Sequence, residues 1–297
     1  MLARLNRLAR RTAAALALAS ALASGLAAPA AAAPALWAIR DADSTIYLFG
    51  TVHVLRPDTA WRTPGIEAAL AESDELVIEV LGADDPAAAR PLILKYGVST
   101  DGPLSSKLSP QDQARLEAAA AAAGLPPQAL EPLRPWLAAM SLSIAPVIKA
   151  GYRVGSGVET VLTAEARAKG RPVEGLETLE QQIGFFAGLP PETELAMLKS
   201  TLEEVDEGPA KLDALVKAWA DADLDLLERE FVTEMREKHP EVYEALAARR
   251  NRDWADQLKA KLAGSGVSFV AVGAGHLVGP DSVQAELAKR GVTVERR

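Results

Sequence analysis

Two histidines occupy matching places near opposite ends of the chain. His53 closes the stretch Ile46-Tyr47-Leu48-Phe49-Gly50-Thr51-Val52-His53, and His276 closes Ser268-Phe269-Val270-Ala271-Val272-Gly273-Ala274-Gly275-His276. Each stretch is apolar and β-prone, and each stops at Gly-x-x-His. Imidazole titrates near neutral pH and is the commonest metal ligand, so a pair of them offers either general-base or metal chemistry. Glu79 is an acid inside the otherwise apolar run Leu76-Val77-Ile78-Glu79-Val80. A buried carboxylate there needs a partner; an outward-facing strand position is the plainer alternative. Two His and one Glu form a catalytic-metal ligand set that leaves a position open for water. Zinc satisfies it, and manganese or cobalt does so if more oxygens, such as Glu177, join. Without metal, the same three side chains supply a general base, an orienting acid and a second base.

Other candidates are more ambiguous. Glu177 ends the strand-like Val173-Glu174-Gly175-Leu176-Glu177, with Gln181 one turn later. A helix N-terminal acid favoured by the dipole explains Glu177 nearly as well, and Glu159 shares that ambiguity. Arg250 and Asn251 lie on a helical stretch before the second motif, placed to hold a carbonyl or carboxylate oxygen or a developing oxyanion. A solvated face is the alternative for any such arginine. His239 precedes Pro240 in a charged segment and reads as surface.

These residues need elements to bring them together. After His53 a helix is entered at Thr63-Pro64, and after His276 one at Gly279-Pro280. The runs 76–80 and 292–295 then close two strand–Gly-x-x-His–helix–strand units, which read as βαβ. Leu36 to Ile39 forms a hairpin with Thr45 to Phe49. In open α/β sheets ligands bind outside the carboxyl ends of the strands, so His53 and His276 are expected to face one cleft. Residues 86–262 are mainly helical, with starts at Ser109-Pro110 and Pro190-Pro191 and a long helix over 241–262. The expected class is α/β (α+β in some schemes): a small sheet built from both ends of the chain, with a large helical insertion.

The 297 residues carry a net charge of −8. Arg4, Arg7, Arg10 and Arg11 precede an Ala/Leu-rich run over 12–28 and small residues to Ala33. That is the pattern of a secretory signal peptide over 1–33, and it predicts a mature single domain over 34–297 in the periplasm or outside the cell. The mature part holds 28 basic and 40 acidic residues, a net −12. Such a balance disfavours nucleic acid as a partner, and no later stretch is apolar enough to span a bilayer. There is no cysteine, hence no disulfide or thiol chemistry.

Gly-Thr-Val-His at 50–53, Ser-Asp-Glu-Leu-Val-Ile-Glu at 73–79, Gly-Leu-Glu-Thr at 175–178, Arg-Asn-x-x-Trp at 250–254 and Val-Gly-Ala-Gly-His-Leu-Val-Gly at 272–279 together resemble the TraB/GumN family. That family is related to the Tiki metalloproteases, and more distantly to erythromycin esterases and ChaN-like haem-binding lipoproteins. The resemblance runs from Leu36 to Arg297. It implies a cleft flanked by His53 and His276, with Glu79 as the strand acid and divalent-metal-dependent peptide cleavage as the activity. No His-Glu-x-x-His helix is present. The leading expectation is an exported metal-dependent hydrolase of a peptide or small-molecule substrate, with His53, His276, Glu79 and Glu177 at the metal. The alternatives are a metal-free esterase-like hydrolase using His53 and Glu79, and a non-catalytic module that binds haem or a peptide.

Overall fold

A computed structural model describes residues 33–83 and 85–297; the expected leader over 1–33 lies outside these, apart from Ala33. The fold opens with a hairpin of β1 (Leu36–Arg40) and β2 (Ser44–Thr51). Asp41 Oδ1 shapes its turn by accepting from the backbone N–H groups of Asp43 and Ser44. Helix α1 (Pro64–Glu72) begins at the expected cap, where Thr63 accepts from the Ile66 N–H, and leads into β3 (Glu75–Leu81). The insertion follows with α2 (Pro86–Tyr96), α3 (Pro110–Ala123), α4 (Pro135–Lys149) and α5 (Val158–Ala168). It is interrupted by β4 (Val173–Thr178). It resumes with α6 (Leu179–Ala187), α7 (Pro191–Glu204), α8 (Gly208–Ala220) and α9 (Leu224–Leu227). Then come α10 (Glu234–Lys238), α11 (Pro240–Tyr243) and α12 (Arg249–Leu262). Two π-helical turns, Glu228–Thr233 and Glu244–Ala248, join α9 to α10 and α11 to α12. The chain ends with β5 (Gly266–Gly273), α13 (Val283–Lys289) and β6 (Val294–Arg296). Helix α13 starts later than its Gly279-Pro280 signal. Gly279 adopts φ +85° and accepts from the Ser282 N–H in a turn, so Ser282 is the residue that caps the helix.

The sheet has the order β4-β3-β5-β2-β1-β6. The four strands β4, β3, β5 and β2 are parallel, and β1 is antiparallel to both its neighbours. The two strands of each Gly-x-x-His unit therefore run in the same direction but are not adjacent. Strand β5 lies between β2 and β3, while β2 and β1 lie between β5 and β6. Apolar side chains alternate to two covered faces, as parallel strands require. Phe49, Ile78 and Phe269 pack with α1, α5 and Trp219 on one face. Leu48, Val77 and Val270 pack with Trp254 and Leu258 of α12 and Val283 and Leu287 of α13 on the other. A separate cluster from α3, α4 and α7, including Leu116, Leu142 and Leu198, forms a core within the insertion. Among the described residues no helix is long and apolar enough to cross a membrane.

Candidate functional site

The carboxyl ends of β2, β3, β4 and β5 make one rim, and the sequence candidates gather there. His53 stands two residues beyond β2, Glu79 lies near the end of β3, Glu177 is the penultimate residue of β4, and His276 sits in the 3-10 turn after β5. Glu79 shares a face of β3 with Val77, so it points at α12 rather than at solvent, and it is 5% exposed. Helix α12 meets it with Arg250, also buried.

Arg250 is the hub. Its Nε and Nη2 donate to the two oxygens of Glu177 at 2.7 and 3.0 Å. Nη2 also donates to Glu79 Oε2 at 3.0 Å, and Nη1 to the Leu246 carbonyl at 3.0 Å. The remaining contact is Nη1 to His276 Nε2, 3.1 Å. A guanidinium can only donate, so His276 Nε2 accepts and its proton is on Nδ1. That Nδ1–H donates to Asn251 Oδ1 at 2.6 Å, and the Asn251 amide is oriented by its own donation to the Asp281 carbonyl at 2.7 Å. Trp254, one turn on, donates to Glu177 Oε1 at 2.8 Å and lays its ring 4.5 Å from that of His276. Arg250 thus spends its donors on the protein itself rather than on the cleft, and the Asn251 amide is turned to Asp281 and His276.

His53 is held differently. Its Nδ1 donates to Glu159 Oε2 at 3.0 Å, and the Thr51 hydroxyl donates to Glu159 Oε1 at 2.7 Å. Nε2 is left free. Helix α5 can bring Glu159 this close because Gly157 has no side chain; a Cβ there would lie 2.0 Å from the His53 carbonyl oxygen. The N–H of Val158 donates to the Val52 carbonyl at 3.0 Å, and the backbones of Leu55 and Arg153 pair, which fastens the loop to the helix.

Electrostatics separates the two imidazoles. The Glu159 carboxylate raises the His53 pKa to about 9 against the opposing effect of partial burial; the ring is 66% exposed, so water screens the pair. Burial pushes His276 down to about 4, with the Arg250 charge adding to it. Burial also works against the Glu79 carboxylate, but cationic neighbours and the Gly273 N–H, 2.5 Å from Oε1, overcome it and hold Glu79 below the usual carboxylate range. His276 is uncharged at neutral pH, so Arg250, the His53 imidazolium and this N–H keep Glu79 ionised there. Glu177 is pushed up by burial despite Arg250.

His53, Glu79 and Glu159 each offer a ligand atom, all within 4.8 Å of one another. Two donors about 2.0–2.5 Å from one ion span at most about 5 Å, so the three fit a single cation. Gly273 clears the space between them: a Cβ on it would lie 3.0 Å from Glu79 Oε1 and 3.6 Å from His53 Nε2. The convergent set differs from the sequence expectation. His276 is close, 3.8 Å from Glu79, but its Nε2 lone pair meets Arg250, and both Glu177 oxygens are engaged by Arg250. Glu159 stands beside His53 and Glu79 instead. Gln181 caps α6 by accepting from the Thr178 N–H, and it is Gln182 that lines the cleft. That cleft, about 250 Å³, also has walls of Ile78, Val80 and Val154. A larger groove of about 380 Å³ lies in the insertion and contains none of these site residues.

A parallel-centred sheet closed from both chain ends, with an imidazole after each of two neighbouring strands and a buried Glu–Arg–Glu cluster beneath, defines a class of α/β proteins with a paired Gly-x-x-His cleft. Within that class, the chain belongs to the TraB/PrgY/gumN family, whose sequence pattern matches residues 35–296. A Treponema pallidum (strain Nichols) protein described as uncharacterised is 24% identical over 270 residues, covering 86% of this chain and 80% of that one. No solved structure matches the chain.

Proposed function

We propose that the protein is an exported hydrolase of peptide bonds that works with one divalent metal ion held by His53, Glu79 and Glu159. The observation that carries this reading is the convergence of those three donors on the open floor of the cleft. Charge supports it. Glu79, Glu159 and Glu177 set against Arg250 leave two negative charges when both imidazoles are neutral, which suits a divalent cation. One imidazole with two carboxylates is a donor set for zinc or manganese. A bound ion would polarise a substrate carbonyl and lower the pKa of water to around 7.

The chain's own groups divide the remaining work. Glu159 is the general base: its oxygens accept from the His53 ring and the Thr51 hydroxyl, whereas Glu79, which also lines the cleft, and Glu177 have theirs held by the Arg250 charge, with Gly273 and Trp254. It takes a proton from the attacking water and returns it to the leaving amine. Arg250, with five N–H groups and five acceptor contacts, is a positioning residue that keeps Glu79 ionised and in place. His276, neutral and locked by Asn251, completes the shell around Arg250.

One observation favours a second reading. Arg250 already supplies a cation to Glu79 and Glu177, so a metal-free hydrolase also fits, with Glu159 orienting His53 and His53 acting as base as pH approaches its raised pKa of about 9. Elemental analysis of protein purified without chelators, paired with a peptide-library digest read by mass spectrometry, separates the two. The metal reading expects about one divalent ion per chain, and loss of both ion and cleavage in His53→Ala with unchanged circular dichroism. Full activity in metal-stripped protein would move the case to the metal-free hydrolase. A metal-replete protein that cuts nothing in the library would retire both readings in favour of a ligand-binding role.

A further inference from the structure

The groove in the insertion lies among α4, α7, α8 and the helical run through α10 and α11. Its walls include Met197, Val205, Met235, Val242 and Leu246. Thioether side chains fill irregular contacts and adapt to what they touch. At about 380 Å³ the space falls within the range of small-molecule pockets, about 300–1,000 Å³. Its charged rim is closed on itself. Lys211 contacts Glu234 at 2.8 Å and Glu204 at 3.6 Å, and Lys238 contacts the same two acids at 2.6 and 3.8 Å. Glu230 faces Arg229. A charged ligand would have to break this ring to find a counter-ion, whereas a neutral apolar one leaves it whole.

Two π-helical turns border the groove, and such turns are rare and frequent at functional sites. Each also touches the candidate active site. The first carries Phe231, which packs against Gly275 beside His276; a Cβ on that glycine would lie 3.3 Å from the Phe231 Cβ. The second carries Leu246, which lines the groove and whose carbonyl accepts from Arg250 Nη1. One residue is thus a wall of the groove and a ligand of the hub arginine.

We propose that this groove binds a neutral, largely aliphatic small molecule, and that its occupancy is transmitted through the Leu246 turn to Arg250 and His276. Its meaning as control of catalysis rests on the hydrolase reading; binding and transmission do not. The test uses the neutral fluorophore N-phenyl-1-naphthylamine and its anionic relative 1-anilinonaphthalene-8-sulfonate on the full chain. The neutral probe should bind saturably at one site, at least tenfold more tightly than the anionic one. Met235→Lys, which places a charge in the wall, and Val205→Trp, which fills the space, should each weaken it at least tenfold. In protein with 15N-labelled histidine, the His276 ring signals should move with the same midpoint as the fluorescence, as should those of His239 in the groove wall, and neither should move in Met235→Lys. Non-saturable binding, an anionic probe that binds as well, undiminished binding in both folded variants, or stationary His276 signals at saturation would each overturn the proposal. No turnover is measured, so a failure of the hydrolase reading shows up elsewhere.

Discussion

Arg250 donates all five of its N–H groups inside the protein, and that count decides how the site responds to substitution. Breaking a buried ion pair by removing one partner leaves an uncompensated charge and costs about 3–5 kcal/mol. Arg250→Met strands Glu79 and Glu177 together, so urea denaturation should show a loss at the upper end of that range. Arg250→Lys should not recover it, because a point ammonium cannot serve five acceptors in a planar fork. The imidazoles set the pH response. His276 has a folded pKa pushed down to about 4, below its ordinary 6.5. Between those values the unfolded chain binds more protons, so stability falls as pH drops from 6.5 towards 4. Glu79, also depressed, extends that loss below the usual carboxylate range. His53 has the opposite sign: its pKa is raised to about 9, so its contribution is complete below 6.5 and disappears as pH rises through 9. Urea midpoints between pH 4 and 10 should trace a dome whose acid limb begins near 6.5, and His276→Gln should flatten that limb. The His53 proton also competes with a metal ion. On the proposed function, metal affinity should tighten by up to about tenfold per pH unit between pH 6 and 9 and level off above. Metal affinity that does not change with pH would exclude His53 as a ligand.

Helix α5 reaches the His53 loop only because position 157 is glycine. Gly157→Ala would set a methyl 2.0 Å from a backbone oxygen, and neither side is a flexible side chain, so loop and helix must part. Overpacking of this kind costs about 1–3 kcal/mol. It should also separate His53 from Glu159, lowering the His53 pKa towards 6.5 in an NMR titration. Gly124→Ala is the control: φ there is +75° with open space around it, so it should cost about 1 kcal/mol and leave the titration untouched. Elements of this kind show what sequence makes legible. The caps Thr63 and Ser109 are local chemistry, and the hairpin follows from alternation and a polar turn; all stand where expected. The strand-end position of His53, His276, Glu79 and Glu177 was legible for the same reason. The partnership of Glu159 with His53 was not, because it joins residues 106 apart and rests on a close approach at Gly157. Nor were the π-helical turns, which no residue type announces and which tertiary packing decides. The saturation of Arg250 likewise depends on its helix meeting β3, β4 and the turn after β5, whereas naming it as a candidate needed only its place before the second motif.

The whole molecule is closed by its C-terminal third. Strand β5 is central: it bonds β2 along eight residue pairs and β3 along four, and Val270, Ala271 and Val272 are at most 1% exposed. Without it, β3 and β4 have no pairing to β2 and β1. The insertion leans on the same sheet, since Trp219 donates to the Gly50 carbonyl at 2.7 Å and packs against Phe49. Strand β6 is the opposite case, a three-residue edge strand that is only half-buried or exposed. A chain ending at Gly264 should therefore fail to form a cooperative fold, keeping at most the helices of the insertion core as a non-cooperative slope in a thermal melt. A chain ending at Thr293 should still melt in one transition at a lower temperature. It should also tend to dimerise on size exclusion, because losing β6 bares the β1 edge to another chain. The two truncations differ by 29 residues, all of them outside the insertion, so the comparison separates a sheet that organises the molecule from one that merely decorates a helical body. Cooperative melting of the Gly264 form would show that the insertion folds by itself and that the sheet, with its site, is the dependent part.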